Sequence, residues 1–92
     1  MKYKLDFKKQ AREDINRHKK AGNKGLLKKL NVLLKELKIH PTKGEGNPKP
    51  LKHYPSNFWS RTIIGKHRLI YEIHDNKITI EVVQAWGHYH DK

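Results

Sequence analysis

Cysteine is absent from the 92-residue chain, so no disulfide can staple the fold and no thiolate metal site can form. No apolar run approaches the roughly 20 residues of a membrane span. Acidic residues are scarce: Asp and Glu number 9 against 21 Lys and Arg, a formal charge of +12. Hydrophobic content is only 35%, and it is concentrated in short periodic runs without internal repeats. These absences exclude a disulfide scaffold and a helical membrane protein, and the length suits one small domain over residues 1–92. The opening M-K-Y-K-L-D-F is too polar and too short for a secretory signal, so the expected compartment is the cytoplasm.

What the chain has in quantity is positive charge. A small domain this basic attracts polyanions. RNA, DNA, an anionic membrane surface and an acidic protein partner all fit. A solvated lysine-rich surface accounts for many of the lysines, but less easily for the imbalance.

The apolar pattern predicts an α+β fold. Met1 to Phe7 alternates Tyr3, Leu5 and Phe7 with Lys2, Lys4 and Asp6, a strand period. From Lys8 to Lys20 the period becomes helical, with Ala11 and Ile15 on one face. Gly22 suits the C-terminal cap of that helix and Asn23 the N-cap of the next. Leu26, Leu30, Leu33 and Leu37 recur at spacings of four, three and four, widened by Leu27 and Leu34. They predict a core-facing helix ending near His40, before Pro41. The stripe is too short for a coiled coil.

Pro41 to Pro50, P-T-K-G-E-G-N-P-K-P, predicts a loop ordered by proline rather than by packing, and Leu51-Lys52-His53 a short edge strand. Trp59 to Ile64 and His67 to His74 predict a hairpin around Gly65-Lys66. In it Leu69, Tyr71 and Ile73 face a core, while Arg68 and Ile70 face the other way. Asp75-Asn76 predicts a second, two-residue hairpin turn. Lys77 to Trp86, apolar on both faces, predicts a central strand. The order is β-α-α-β-β-β: two helices on one face of an antiparallel meander, with the first strand added beside it.

An arginine inside an apolar strand is either paired with an acid or held out for an anion. Arg68 could pair with Glu72 or Glu81, leaving His88 and Tyr89 as a frayed tail. Alternatively the last strand returns beside Arg68, and a guanidinium, an imidazole and a phenol meet. That trio suits RNA cleavage by 2′-OH attack on the adjacent phosphate. The guanidinium stabilises phosphoryl charge, the imidazole protonates the leaving 5′-oxygen, and the tyrosine orients the phosphate or stacks on a base. No metal or other cofactor is required.

His88-x-His90 raises metal binding, but there is no His-Glu-x-x-His. His18, His40, His53 and His67 are scattered, so exposed histidines are the simpler reading. A third constellation interleaves Lys49, Lys52, His53, Arg61 and Lys66 with Tyr54, Phe58 and Trp59. Lysines track phosphates and rings stack on bases, unless Phe58 or Trp59 belongs to the core.

Four segments then stand in a telling order: P-L-K-H (Pro50 to His53), F-W-S-R (Phe58 to Arg61), H-R-L-I-Y (His67 to Tyr71) and H-Y (His88, Tyr89). Together, from about Gly44 to Tyr89, they resemble the YoeB/Txe group of bacterial toxins in the RelE superfamily. The resemblance implies a microbial-RNase-like fold and a metal-independent endoribonuclease that cuts mRNA in the ribosomal A site. It implies a ribosome and mRNA as partners, no membrane, and a separate, mostly acidic antitoxin as inhibitor. Monomer and homodimer are both compatible with it.

By position, the resemblance makes Arg68 the phosphate-stabilising arginine, His88 the general acid and Tyr89 its neighbour. It places Lys52, Arg61 and His67 on the phosphate-binding surface. Two positions depart from the family pattern. Thr62 replaces the second arginine of a common pair, and Lys49 stands where the family often has the glutamate taken as general base. The base is then Lys49, its pKa lowered by a crowded cationic site, or Glu45 reaching in from the loop. A longer last strand would put His90 in the place of His88. The departures also allow a second function: a catalytically weakened RelE-fold protein acting as a non-catalytic RNA- or antitoxin-binding regulator. A relative on the same fold that poisons DNA gyrase fits the His88-Tyr89 ending less well.

Overall fold

Five strands and two helices form the chain, seen in a computed structural model that describes residues 2–54 and 57–87. Strand β1 (Lys4–Phe7) leads to helices α1 (Lys9–Lys20) and α2 (Lys24–Leu37). Strands β2 (Lys49–Pro50), β3 (Phe58–Ile64), β4 (His67–His74) and β5 (Thr79–Gln84) follow. The sheet order is β1-β5-β4-β3-β2. From β2 to β5 it is the expected antiparallel meander. The first strand joins β5 in parallel, Lys4 opposite Thr79, so β5 is central with a partner on each side.

The leucine stripe folds as its spacing demands. Leu26, Leu30, Leu33 and Leu37 are all buried against Leu69, Tyr71 and Ile73 of β4 and Ile80 and Val82 of β5. Each such side chain contributes roughly 1.5–3 kcal/mol by leaving water. Leu27 and Leu34 stay half-buried at the rim. Both helices cover one face of the sheet; on the other face Ser60 and Ile70 are also buried.

Four local expectations are corrected. The loop from Pro41 to Pro50 is not held by its prolines. Arg61 reaches back from β3 and donates to the carbonyls of His40, Lys43 and Glu45. The Tyr71 hydroxyl donates to the Pro41 carbonyl at 2.6 Å, and the Thr62 N–H to the Gly46 carbonyl at 2.7 Å. The edge strand lies at Lys49–Pro50 rather than at Leu51–His53, because Leu51 turns inward and is buried. The link from β4 to β5 is a 3₁₀ turn, Asp75–Lys77, closed by Ile78 at φ 49°, not a two-residue turn. Asn23 precedes α2 without a side-chain cap bond.

Gly46 shows why this loop tolerates little change. Its φ is +81°, and an added Cβ would lie 2.7 Å from the Thr62 carbonyl oxygen and 3.1 Å from Arg61 Cβ. Gly46→Ala is expected to destabilise the protein by about 2 kcal/mol, since strain and overpacking add. A urea midpoint equal to that of the parent would show that the loop can move aside.

Candidate active site

Alternation along β4 sends Leu69, Tyr71 and Ile73 to the helices and Arg68, Ile70, Glu72 and His74 to the opposite face, where Ile70 is buried and the other three half-buried. Cross-strand partners share a face. Arg68 stands opposite Thr62, Ile70 opposite Ser60, and Ser60 opposite Lys49. Lys49 and Arg68 therefore belong to the same face, the one away from the helices, with Lys49 at the sheet edge. Lys49, Lys52 and His53 are exposed. Tyr54 and Phe58 pack ring to ring at 5.1 Å, both half-buried. Trp59 turns to the core side.

Arg68 is half-buried and held at both its backbone and its head. Its N–H donates to the Gly87 carbonyl at 3.0 Å, and its Nη1 donates to the Gly65 carbonyl at 3.0 Å. Among the described residues it has no carboxylate partner. The two acids weighed for it are engaged elsewhere: His74 Nε2 lies 3.4 Å from Glu72 and 3.2 Å from Glu81, and Lys8 lies 3.6 Å from Glu81. The bond to Gly87 brings the end of the described chain to Arg68. The expectations for His88, Tyr89 and His90 fall outside the described residues.

Arg61 is corrected. Its side chain is 0% exposed and points to the helix side, the opposite side of the strand from Thr62. Its guanidinium is fully occupied. Nη1 forms a 2.6 Å ion pair with Glu36, and Nε donates to the Tyr71 hydroxyl at 3.2 Å. A phosphate cannot reach it in the folded chain. The arginine-pair position that faces the site is 62, where threonine stands. Burial works to raise the Glu36 carboxyl, but the Glu45 N–H and the Arg61 guanidinium outweigh it and hold Glu36 below its ordinary value. Burial also pushes the Tyr71 phenol up, against the pull of Arg61. The main chain of Glu45 is tied into this network, its N–H on Glu36 and its carbonyl on Arg61, while the residue remains exposed.

Two residues of α1 escaped the sequence reading. Asp14 and His18 are 1% and 0% exposed. Asp14 Oδ2 accepts the Ala85 N–H and His18 Nε2 donates to the Ala85 carbonyl, both at 2.9 Å. Their spacing of four places them on one helix face, a signal present in the sequence but without a visible partner. His18 also stacks on Trp86 at 4.4 Å and meets the His67 ring edge-on at 4.8 Å. His67, expected on the phosphate surface, is half-buried, and its Nδ1 accepts the Gly87 N–H at 2.9 Å. Among the described residues, Glu72, His74 and Glu81 could together hold a metal ion, with ligand atoms within 4.8 Å of one another. Lys8 already neutralises part of that group. No helix among the described residues is long and apolar enough to cross a membrane.

The sequence and fold have close counterparts. The family model described as a YoeB-like toxin of bacterial type II toxin–antitoxin systems matches residues 7–89. Toxin YoeB of Escherichia coli strain K12 is 45% identical over 58 residues, 63% of this chain and 69% of that protein. The solved YoeB/ParE toxin from Agrobacterium tumefaciens superposes with a TM-score of 0.85 at 30% identity, covering 94% of this chain and 99% of its own. A YoeB from Staphylococcus aureus, solved as a dimer, gives 0.83 at 32% identity over 97% of this chain and 100% of its own. In complex with YefM it gives 0.79 with the same identity and coverage. The chain belongs to the YoeB-like toxins of bacterial type II toxin–antitoxin systems.

Proposed function

We propose that this toxin is a metal-independent endoribonuclease that cleaves mRNA in the ribosomal A site. The observation that carries the reading is the placement of Arg68. Its side chain stands on the same face as Lys49, away from the helices, and its backbone is bonded to Gly87, the residue before His88. A scissile phosphate on that face would have its developing charge met by the guanidinium. His88 would protonate the departing 5′-oxygen, with Tyr89 orienting the phosphate. Lys49 shares the face and is the nearer-placed base by register, with Glu45 as the competitor. Lys52 tracks the RNA backbone, and the excess charge steers docking to ribosomal RNA, so affinity falls steeply with salt. The partners are the ribosome, the message and an antitoxin of the kind seen with the Staphylococcus aureus relative; the setting is the cytoplasm.

Primer extension on a translated message, with purified toxin added, tests this directly. Discrete codon-linked cuts that need both the toxin and the ribosome are expected. Ribosome occupancy without cuts would favour the non-catalytic regulator, a reading that the Lys49 and Thr62 departures keep open.

A further inference from the structure

We infer that Glu72, His74 and Glu81 form a site for one divalent transition ion, zinc above all, on the sheet face away from the helices. The site is separate from the proposed cleavage chemistry and does not rest on the nuclease reading.

Strand pairing brings the three side chains together. Glu72 and His74 are two residues apart on β4, so they leave the same face. Glu81 of β5 stands directly opposite Glu72, and Asp6 of β1 directly opposite Glu81. Three of the nine acids of a strongly basic chain thus stand in one row across three adjacent strands. Like charges placed directly opposite one another destabilise a sheet, and a cation bound between them offsets that repulsion. Lys4 stands opposite Thr79, the residue paired with His74, and Lys8 reaches the row itself. Lys8 lies 3.6 Å from Oε2 of Glu81, whereas Oε1 is the atom turned to His74.

The donor atoms converge as ligands do. His74 Nε2 lies 3.4 Å from Glu72 Oε1 and 3.2 Å from Glu81 Oε1. One donor atom from each residue lies within 4.8 Å of the other two. Ligands about 2.0–2.2 Å from a tetrahedral ion are roughly 3.4 Å from one another. Two of the three edges therefore already have the length that zinc needs, and rotation of a glutamate end closes the third. The side chains are 19% to 28% exposed, so packing holds them while solvent still reaches them. A carboxylate has two oxygens. Each glutamate can supply one to the ion and keep the other for a neighbour, as Glu81 does with Lys8. One imidazole nitrogen with two carboxylate oxygens suits zinc or another first-row transition ion better than magnesium, which prefers an all-oxygen shell. With Nε2 on the ion, the ring proton sits on Nδ1. Three protein ligands leave the fourth position to water, and the ion ties β4 to β5. The competing occupant is a proton: a doubly protonated His74 would bridge the same two carboxylates.

Calorimetric titration of zinc chloride into the purified toxin near neutral pH decides between them. The wild type should bind one zinc per chain at this site. Glu72→Gln, His74→Gln and Glu81→Gln should each weaken binding at least about tenfold, since even outer-shell changes cost that much. The glutamine variants relieve carboxylate repulsion, so the fold should stand, and thermal unfolding checks it. Zinc should also raise the Tm of the wild type and not that of the three variants. Magnesium chloride at the same concentration should do neither. His53→Gln, at an exposed histidine outside the cluster, should bind zinc as the wild type does. Affinity unchanged in all three variants would place the ion elsewhere in the chain and overturn the assignment. No zinc bound by the wild type would overturn it as well, leaving His74 to hold the carboxylates as an imidazolium. If the wild-type toxin makes no cuts in primer extension, the nuclease reading fails and the titrations still decide the metal site.

Discussion

Arg61→Ala is expected to remove about 3–5 kcal/mol of stability, the usual cost of breaking a buried ion pair from one side. A 92-residue domain has only roughly 5–14 kcal/mol in total, so the variant should be partly or wholly unfolded at physiological temperature. The magnitude follows from how many groups lose a partner at once. Glu36 is left charged and unpaired, and the carbonyls of His40, Lys43 and Glu45 lose their donor. Arg61→Lys should recover little, because an ammonium cannot reproduce the planar fork.

The same network sets an acid limit. Glu36 is held below its ordinary value of 4.5, so its contribution is complete above that pH and is lost as the pH falls through the folded-state value. Urea unfolding followed from pH 6 downward should show the wild type losing stability below about pH 4.5, with a shallower loss in Glu36→Gln. An Arg61→Ala midpoint close to that of the wild type would mean that the loop has another anchor.

Arg68→Ala is expected to do the opposite: leave the fold standing and remove the activity. Among the described residues its head makes one bond, to the Gly65 carbonyl, worth about 0.5–1.5 kcal/mol. In the proposed reaction it meets the charge that builds on the phosphoryl oxygens, where one lost donor costs about 10²–10³ in rate. Cutting should therefore fall at least about a hundredfold while thermal unfolding shifts by a few degrees at most. Arg68→Lys should fall between, keeping charge without the bidentate geometry. Cutting by Arg68→Ala within tenfold of wild type, in a folded sample, would move the site elsewhere.

The elements with strong periodicity were legible. The leucine stripe of α2 and the alternation of β4 determine which face each residue takes, and the family motifs carried the candidate site. Arg61 shows a signal that was present but outweighed. Alternation with Trp59 and Ile63 already sends it toward the helices, against its assignment to the phosphate surface. Asp14 and His18 show a different gap. Periodicity assigns a helix face, but their partner Ala85 lies 71 and 67 residues away, and nothing local in either stretch announces the other. A shorter separation, 16 to 21 residues, was enough to hide the anchoring of the proline loop by Arg61. Its order comes from a strand that follows it, not from its own composition.

The pairing of the first strand with the last has one more consequence. Lys4 and Thr79 must meet across nearly the whole chain before the sheet has its full width. A nascent polypeptide that still lacks its final strand leaves Leu5 and Phe7 without their β5 neighbours. Completion of the sheet thus waits until β5 has been made, and until then the edge of β4 that β5 covers has no partner.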